Sequence, residues 1–247
     1  MARLNSFYLP PQAWPESGRA SLSGAEAHHL AVVLRHKPGD VVRLFDGQGA
    51  EGLFTVLSCG KKLAELEARE TARHQRPEGG LVLALGWNKS SRREWLLEKG
   101  VELGAAELCF WQAARSQGRI PHEIKDKWQD KLIQAAKQCG ALWLPELTAL
   151  PGPDALLERG RGIATRLLLW ERAGQAPLLS PSMLSGPSLA VIGPEGGLED
   201  DEARRFLDSG YTAVTLGGSI LRWETAALHC LSLAYYQGQA AQAAAGD

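Results

Sequence analysis

The residues best placed for chemistry lie between Ile192 and Ala226. Gly193-Pro194-Glu195-Gly196-Gly197 directly follows the apolar run Leu189-Ala190-Val191-Ile192 and precedes a helical stretch at 200–208. Strand ends of this kind are where open α/β sheets bind ligands. Adjacent glycines permit positive φ and let the backbone approach a ligand closely. The loop matches neither the dinucleotide fingerprint nor the P-loop, and Glu195 would repel a polyphosphate. An uncharged or cationic small molecule fits better. A tight strand-to-helix turn without a ligand is the competing reading of this loop alone.

A second loop, Leu216-Gly217-Gly218-Ser219-Ile220-Leu221-Arg222, again joins a strand to a helix, whose first residues are Trp223-Glu224-Thr225-Ala226. Arg222 falls at the N-terminus of that helix, where the macrodipole disfavours a cation. The placement points to an anionic or electron-rich partner, or else to a salt bridge with Glu224 or Glu195. A third strand end, Leu169-Trp170-Glu171-Arg172, has the same polarity. Three loops at the carboxyl edge of one sheet make a pocket, which no one of them makes alone.

The elements that would position these loops alternate in type. Continuous apolar runs at 81–86, 108–111, 167–170, 189–192 and 213–216 read as strands covered on both faces. Between them lie helical patterns: one with Ser91 and Glu94 at capping-box spacing, one over 122–138 ended by Gly140, one at 200–208, and a long one over 224–239. Strand–helix alternation predicts a mainly parallel α/β sheet with helices on both faces. Residues 1–73 differ. Runs at 41–45, 52–57 and 63–68 are broken by Asp46-Gly47 and by Gly60, and a short helix is expected at 28–35, which predicts a small β-barrel or sandwich. Residues 74–80 read as a linker, and 81–247 as the second domain.

Composition excludes several classes. The 247 residues are 45% hydrophobic and 22% charged, ordinary for a globular protein with a core of its own. No run approaches the roughly 20 apolar residues of a membrane span, and the start lacks the pattern of a signal peptide, so a cytoplasmic location is expected. Four dispersed cysteines give neither a disulfide framework nor a zinc site, and no metal is expected. The net charge of −1 hides a drift: 20 of the 27 basic residues, against 16 acidic ones, lie in 1–140. A local basic face is therefore available to phosphates, although the protein as a whole is not basic.

The two glycine loops resemble those of the SPOUT methyltransferases, specifically the 16S ribosomal RNA uracil N3-methyltransferases. In that family a strand leads into Gly-Pro-Glu-Gly-Gly, and a later Leu-Gly loop ends in Ile-Leu-Arg-x-Glu-Thr-Ala. The likeness extends through Lys89, residues 99–104, Arg115-Ser116, residues 134–140 and the segment His28 to Arg35. Trp223 stands where the family usually has Thr, and Ala141 where an Arg is common. The resemblance implies a SPOUT-type, trefoil-knotted parallel sheet domain behind a smaller PUA-like β-barrel, a homodimer, and S-adenosylmethionine as cofactor.

It further implies that Leu169, Trp170, Glu171, Ile192 to Gly197, Leu216, Gly217, Ser219, Ile220 and Leu221 hold that cofactor. Arg222 and Glu195 would be catalytic. His28, Arg35, Lys89, Arg92, Arg93 and Arg115 would contact 16S ribosomal RNA, free or in the small subunit. A ribose 2′-O-methyltransferase and a non-catalytic ribosome assembly factor are the alternatives.

Overall fold

The computed structural model describes residues 4–16, 18–89, 92–172 and 174–245. The chain divides into two compact units, Met1–Arg76 with Ile133–Leu144 and Pro77–Leu132 with Pro145–Asp247.

In the first unit the strands are β1 (Ser6–Tyr8), β2 (Arg19–Ser23), β3 (Val41–Phe45), β4 (Ala50–Cys59) and β5 (Leu63–Arg73). They form one sheet in the order β1-β3-β4-β5-β2, antiparallel except where β1 lies beside β3. Burial alternates residue by residue along β2 and most of β4, as a sheet with one covered face requires. Asp46 closes the β3–β4 hairpin by accepting the N–H groups of Gln48 at 2.7 Å and Ala50 at 2.9 Å. Phe7 from one edge strand and Ala20 and Leu22 from the other share a core with Leu44, Phe54 and Leu66. The sheet therefore curls around its own interior.

The helix expected at 28–35 begins earlier, as α1 (Gly24–His28), and widens into a π turn over His29–Val33. The wide turn brings Leu34 N to His29 O at 2.9 Å, and the segment ends at Arg35 with φ +56°. Residues 133–144, which the sequence left with the second domain, join this unit: Gly49 N donates to Leu142 O at 3.2 Å and Arg43 Nη2 to Gly140 O at 3.3 Å.

The second unit holds β6 (Gly80–Gly86), β7 (Glu107–Trp111), β8 (Glu146–Leu150), β9 (Thr165–Leu169), β10 (Pro187–Ile192) and β11 (Thr212–Val214). All are parallel, in the order β11-β9-β10-β6-β7-β8. The continuous apolar runs become strands buried on both faces. Val82, Ala84, Trp111, Leu189 and Val191 pack on one face against Leu156 of α4 (Pro153–Arg159) and Ala203 and Phe206 of α5 (Asp200–Asp208). On the other, Gly100 of α2 (Arg92–Glu102) lies so near Leu108 that a Cβ would come within 2.5 Å of it. The last helix, α6 (Trp223–Ala245), packs on β6, β10 and α2. Glu107, only 1% exposed, is compensated by Arg159 and by the Thr148 hydroxyl at 2.6 Å.

Four expectations shift at their edges. The helix expected from 122 starts at Asp126 (α3, Asp126–Cys139), because 122–125 present no buried face to hold a first turn. The final helix runs on to Ala245, since its Ala-rich end has high helix propensity. Gly80, counted in the linker, is the first residue of β6, and β11 stops at Val214 rather than Leu216. The capping serine Ser91 lies outside the described residues. Strand β8 and helix α4 were not foreseen.

Candidate active site

Register brings the three strand ends together. Ile192 of β10 pairs with Leu169 of β9, and Leu169 pairs in turn with Val214 of β11. Because all three strands are parallel, the segments beginning at Trp170, Gly193 and Thr215 leave from one edge of the sheet. Ile192 also pairs with Leu85, next to the last residue of β6.

The first glycine loop is a tight turn, with Gly197 N donating to Pro194 O at 2.8 Å. Gly197 sits at φ +73°, and a Cβ there would stand 3.1 Å from Glu171 Oε1. Only glycine suits that backbone and that approach of the 170–172 segment. The loop is braced by the segment after β7. Arg115 Nη1 donates to Gly196 O at 3.2 Å, Gln117 Nε2 to Glu195 Oε2 at 3.4 Å, and Ala114 N to Glu202 Oε1 at 2.8 Å. Glu202, 8% exposed, also accepts from Glu199 N at 3.2 Å at the start of α5. Arg115, expected on RNA, thus acts as a strut of the glycine loop. Gln117 and Glu202 do the same work and were missed, since neither belongs to a motif.

The second loop is anchored at its root. Thr215 N donates to Pro177 O at 3.0 Å, and Leu179 N donates to Thr215 O at 2.8 Å. The Thr215 hydroxyl accepts from Gly217 N at 3.2 Å, where φ reaches +116°. Beyond it Gly217, Gly218, Ser219 and Ile220 are exposed, and Ile220 is 97% so. A Cβ on Gly217 or Gly218 would meet nothing within 4 Å, so open space lies in front of this loop.

Neither salt bridge considered for Arg222 forms. Glu224 is held by Arg92 at 2.6 Å, and Glu195 accepts from Gln117. Arg222 is exposed at the head of α6 with its charge uncommitted among the described residues. Trp223, in the place where the resembled family usually carries Thr, is 4% exposed, and its indole N–H lacks an acceptor. The Trp170 N–H and Glu224 Oε2 are likewise buried without partners. Orphaned buried groups cost about 1–3 kcal/mol each and mark places where a ligand can satisfy them. The three segments carry Glu171, Arg172, Glu195 and Arg222 but no lysine, and with Arg172 paired to Asp200 at 3.4 Å the balance suits a zwitterionic or cationic ligand without phosphates.

The remaining basic residues are scattered. Lys89 is exposed, Arg92 pairs with Glu224, and Arg93 turns inward onto two tryptophans. His28 and Arg35 are exposed on the first unit, where His29 packs edge-on against Phe7 at 5.9 Å. Among the described residues no three His, Cys, Asp or Glu side chains group as a metal site would require, and no helix is long and apolar enough to cross a membrane.

Comparison with known proteins agrees with this geometry. Residues 75–235 match the model of an RNA methyltransferase domain, and 22–68 that of an RNA methyltransferase PUA domain. The ribosomal RNA small subunit methyltransferase E of Bacillus subtilis is 29% identical over 93% of this chain and 94% of its own. That of Mycobacterium bovis is 32% identical over 90% and 87%. A crystal structure of the Neisseria gonorrhoeae enzyme of the same name, bound to S-adenosyl methionine, superimposes with a TM-score of 0.78 at 27% identity over 93% and 96% of the two chains. The expected fold class, a SPOUT-type parallel sheet domain with a smaller PUA-like domain, is thereby met.

Proposed function

The chain belongs to the RNA methyltransferase family, and on that premise we propose that it transfers a methyl group from S-adenosylmethionine to N3 of a uridine in 16S ribosomal RNA. The observation carrying this reading is the in-register convergence of three strand ends, two of them running into glycine loops, with Arg222 at their margin holding no ion-pair partner among the described residues. S-adenosylmethionine bound there supplies a methyl group made electrophilic by a positively charged sulfur. The backbone of Ile192–Gly197 and Leu216–Leu221, with Leu169, Trp170 and Glu171, holds it. Exposed carboxylates at Glu171 and Glu195 favour its positive charges.

Uracil N3 carries a proton that leaves as N3 becomes the nucleophile, and the negative charge spreads onto O2 and O4. Arg222, with five N–H donors and no carboxylate paired to it among the described residues, stabilises that charge. Glu195 positions the base or takes its proton. The target base leaves its stack to reach the edge of the sheet. Lys89, Arg92, Arg35 and His28 contact phosphates, and the PUA-like part, residues 1–73, helps to hold the RNA.

A homodimer belongs to the same reading. Leu178 is 60% exposed, and α6 leaves Tyr235 and Tyr236 43% and 65% exposed, apolar area that a second copy would cover. A ribosomal substrate implies a cytoplasmic location. The test is nucleoside analysis of 16S RNA from a strain lacking the gene, before and after treatment with protein and cofactor. Restored 3-methyluridine supports the reading; a restored 2′-O-methyl nucleoside, or none, refutes it.

A further inference from the structure

Arg93, in the first turn of α2, is a half-buried guanidinium with no ion-paired carboxylate among the described residues. It stands 4.3 Å from the Trp87 ring and 4.7 Å from the Trp128 ring, and it donates from Nη1 to Asn88 O at 2.7 Å. Glu94, its neighbour in sequence, is taken by Lys127 at 2.6 Å. Burial pushes the Arg93 pKa down, only partly offset by Glu94. Its position in the first helical turn adds to the positive end of the macrodipole rather than relieving it.

Four nitrogens of this cluster are buried without an acceptor: Arg93 Nε, Trp87 Nε1, Asn88 Nδ2 and Trp128 Nε1. Trp87, Asn88 and Trp128 are 5%, 2% and 0% exposed. Every orphan in the group is a donor. One tryptophan N–H left bare would be unremarkable, but three bare donors on residues next to a guanidinium whose own Nε is bare, and which holds only a backbone carbonyl and two ring faces, are groups that an oxyanion would satisfy.

The surroundings indicate its source. Exposed Lys89 flanks the cluster in sequence and favours a polyanion over a lone carboxylate, while Arg92 beside it is already paired with Glu224. The cluster lies at the carboxyl end of β6, the strand beside β10, whose loop holds the cofactor in the reading above. Gly86 lies so close to Gly193 and Pro194 that the two strand ends touch.

We propose that Trp87, Asn88, Arg93 and Trp128 form a recessed receptor for one phosphodiester group of the RNA substrate, one strand over from the cofactor loops. The proposal rests on the functional reading above. A phosphate fixed there positions the nucleotides next to the target and leaves cofactor binding to β9, β10 and β11.

The test uses Arg93→Met, which keeps an unbranched stem on the two indoles and removes every donor. RNA affinity is measured across a salt series, S-adenosylmethionine affinity by calorimetry, and folding by thermal denaturation. The expected result is RNA binding weaker by about tenfold at low salt, with the slope of log K against log salt reduced by about 0.7–0.9. Cofactor affinity stays at the wild-type value. Arg93→Lys keeps the charge without the planar fork, so it should retain the slope and lose part of the affinity.

Wild-type RNA affinity and slope in folded Arg93→Met overturns the proposal. So does a loss of cofactor affinity, which would give the guanidinium to the cofactor carboxylate. Should Arg93→Met not fold, Trp87→Phe carries the same comparison, with weaker RNA binding expected and unchanged binding refuting. A wild-type protein that binds 16S RNA without methylating it defeats the functional reading instead, a result separable from the binding data.

Discussion

Replacing Gly86 by alanine tests how the glycine loop is built. A Cβ at Gly86 would lie 2.3 Å from Pro194 N, 2.6 Å from Gly193 C and 2.7 Å from Pro194 Cδ. Two of these atoms are backbone and the third belongs to a ring, so no side chain can swing away. Ordinary contact between heavy atoms begins near 3.5 Å, which means a displacement of about 1 Å. Overpacking of this kind costs about 1–3 kcal/mol, equivalent to a fall in Tm of roughly 2–12 °C for a chain of this length. A shift of about 1 Å at a reacting centre costs on the order of 100-fold in rate. The expected outcome of Gly86→Ala is a folded protein with a lower Tm, cofactor affinity reduced at least tenfold by calorimetry, and turnover reduced by about two orders of magnitude. Gly238→Ala, in the exposed interior of α6 with nothing within 4 Å of its Cβ, is the control. Wild-type cofactor affinity in Gly86→Ala would refute the claim that the 193–197 backbone touches the ligand.

Other substitutions separate chemistry from architecture. Arg222→Ala should lower methyl transfer by about 100- to 1,000-fold while cofactor affinity by calorimetry stays unchanged; near-normal turnover would end its assigned role. Gly238→Ala should itself raise stability by about 1 kcal/mol, read as a higher Tm. Arg159→Met leaves Glu107 buried with only the Thr148 hydroxyl, and should destabilise by about 3 kcal/mol in denaturant titration. Burial pushes the thiols of Cys109 and Cys230 up to about 12. The folded state therefore keeps protons that the unfolded chain releases above about 8.5, so stability falls as pH rises from there towards 12. Iodoacetamide at pH 8.5 should label exposed Cys139 and leave both buried thiols intact, and ready labelling of Cys230 in folded protein would contradict this.

The parts legible in the sequence are those where one physical signal dominates. Leu189 to Ile192 is apolar without interruption, so β10 could be read as a doubly covered strand, and Gly193–Gly197 as its ligand-side turn. Strand β8 was hidden because Glu146 to Leu150 mixes polar and apolar residues and is only partly buried. The struts were hidden for another reason. Arg115, Gln117 and Glu202 act across 78 to 88 residues of sequence, and a lone polar residue carries no periodicity that reports its partner. Arg93 shows that residue type does not report depth. Its type and its neighbours Lys89 and Arg92 suggested a surface contact, whereas the indoles of Trp87 and Trp128 draw it inward. The start of α1 at Gly24 and its π turn depend on packing around Leu30, which composition does not reveal.

A crystal structure of the protein grown with S-adenosylmethionine bears most directly on the whole. The donor should lie against the backbone of 193–197 and 216–221, its methyl group turned towards Arg222. Density for it elsewhere on the chain, with those two bends untouched, would contradict the assignment of the active site.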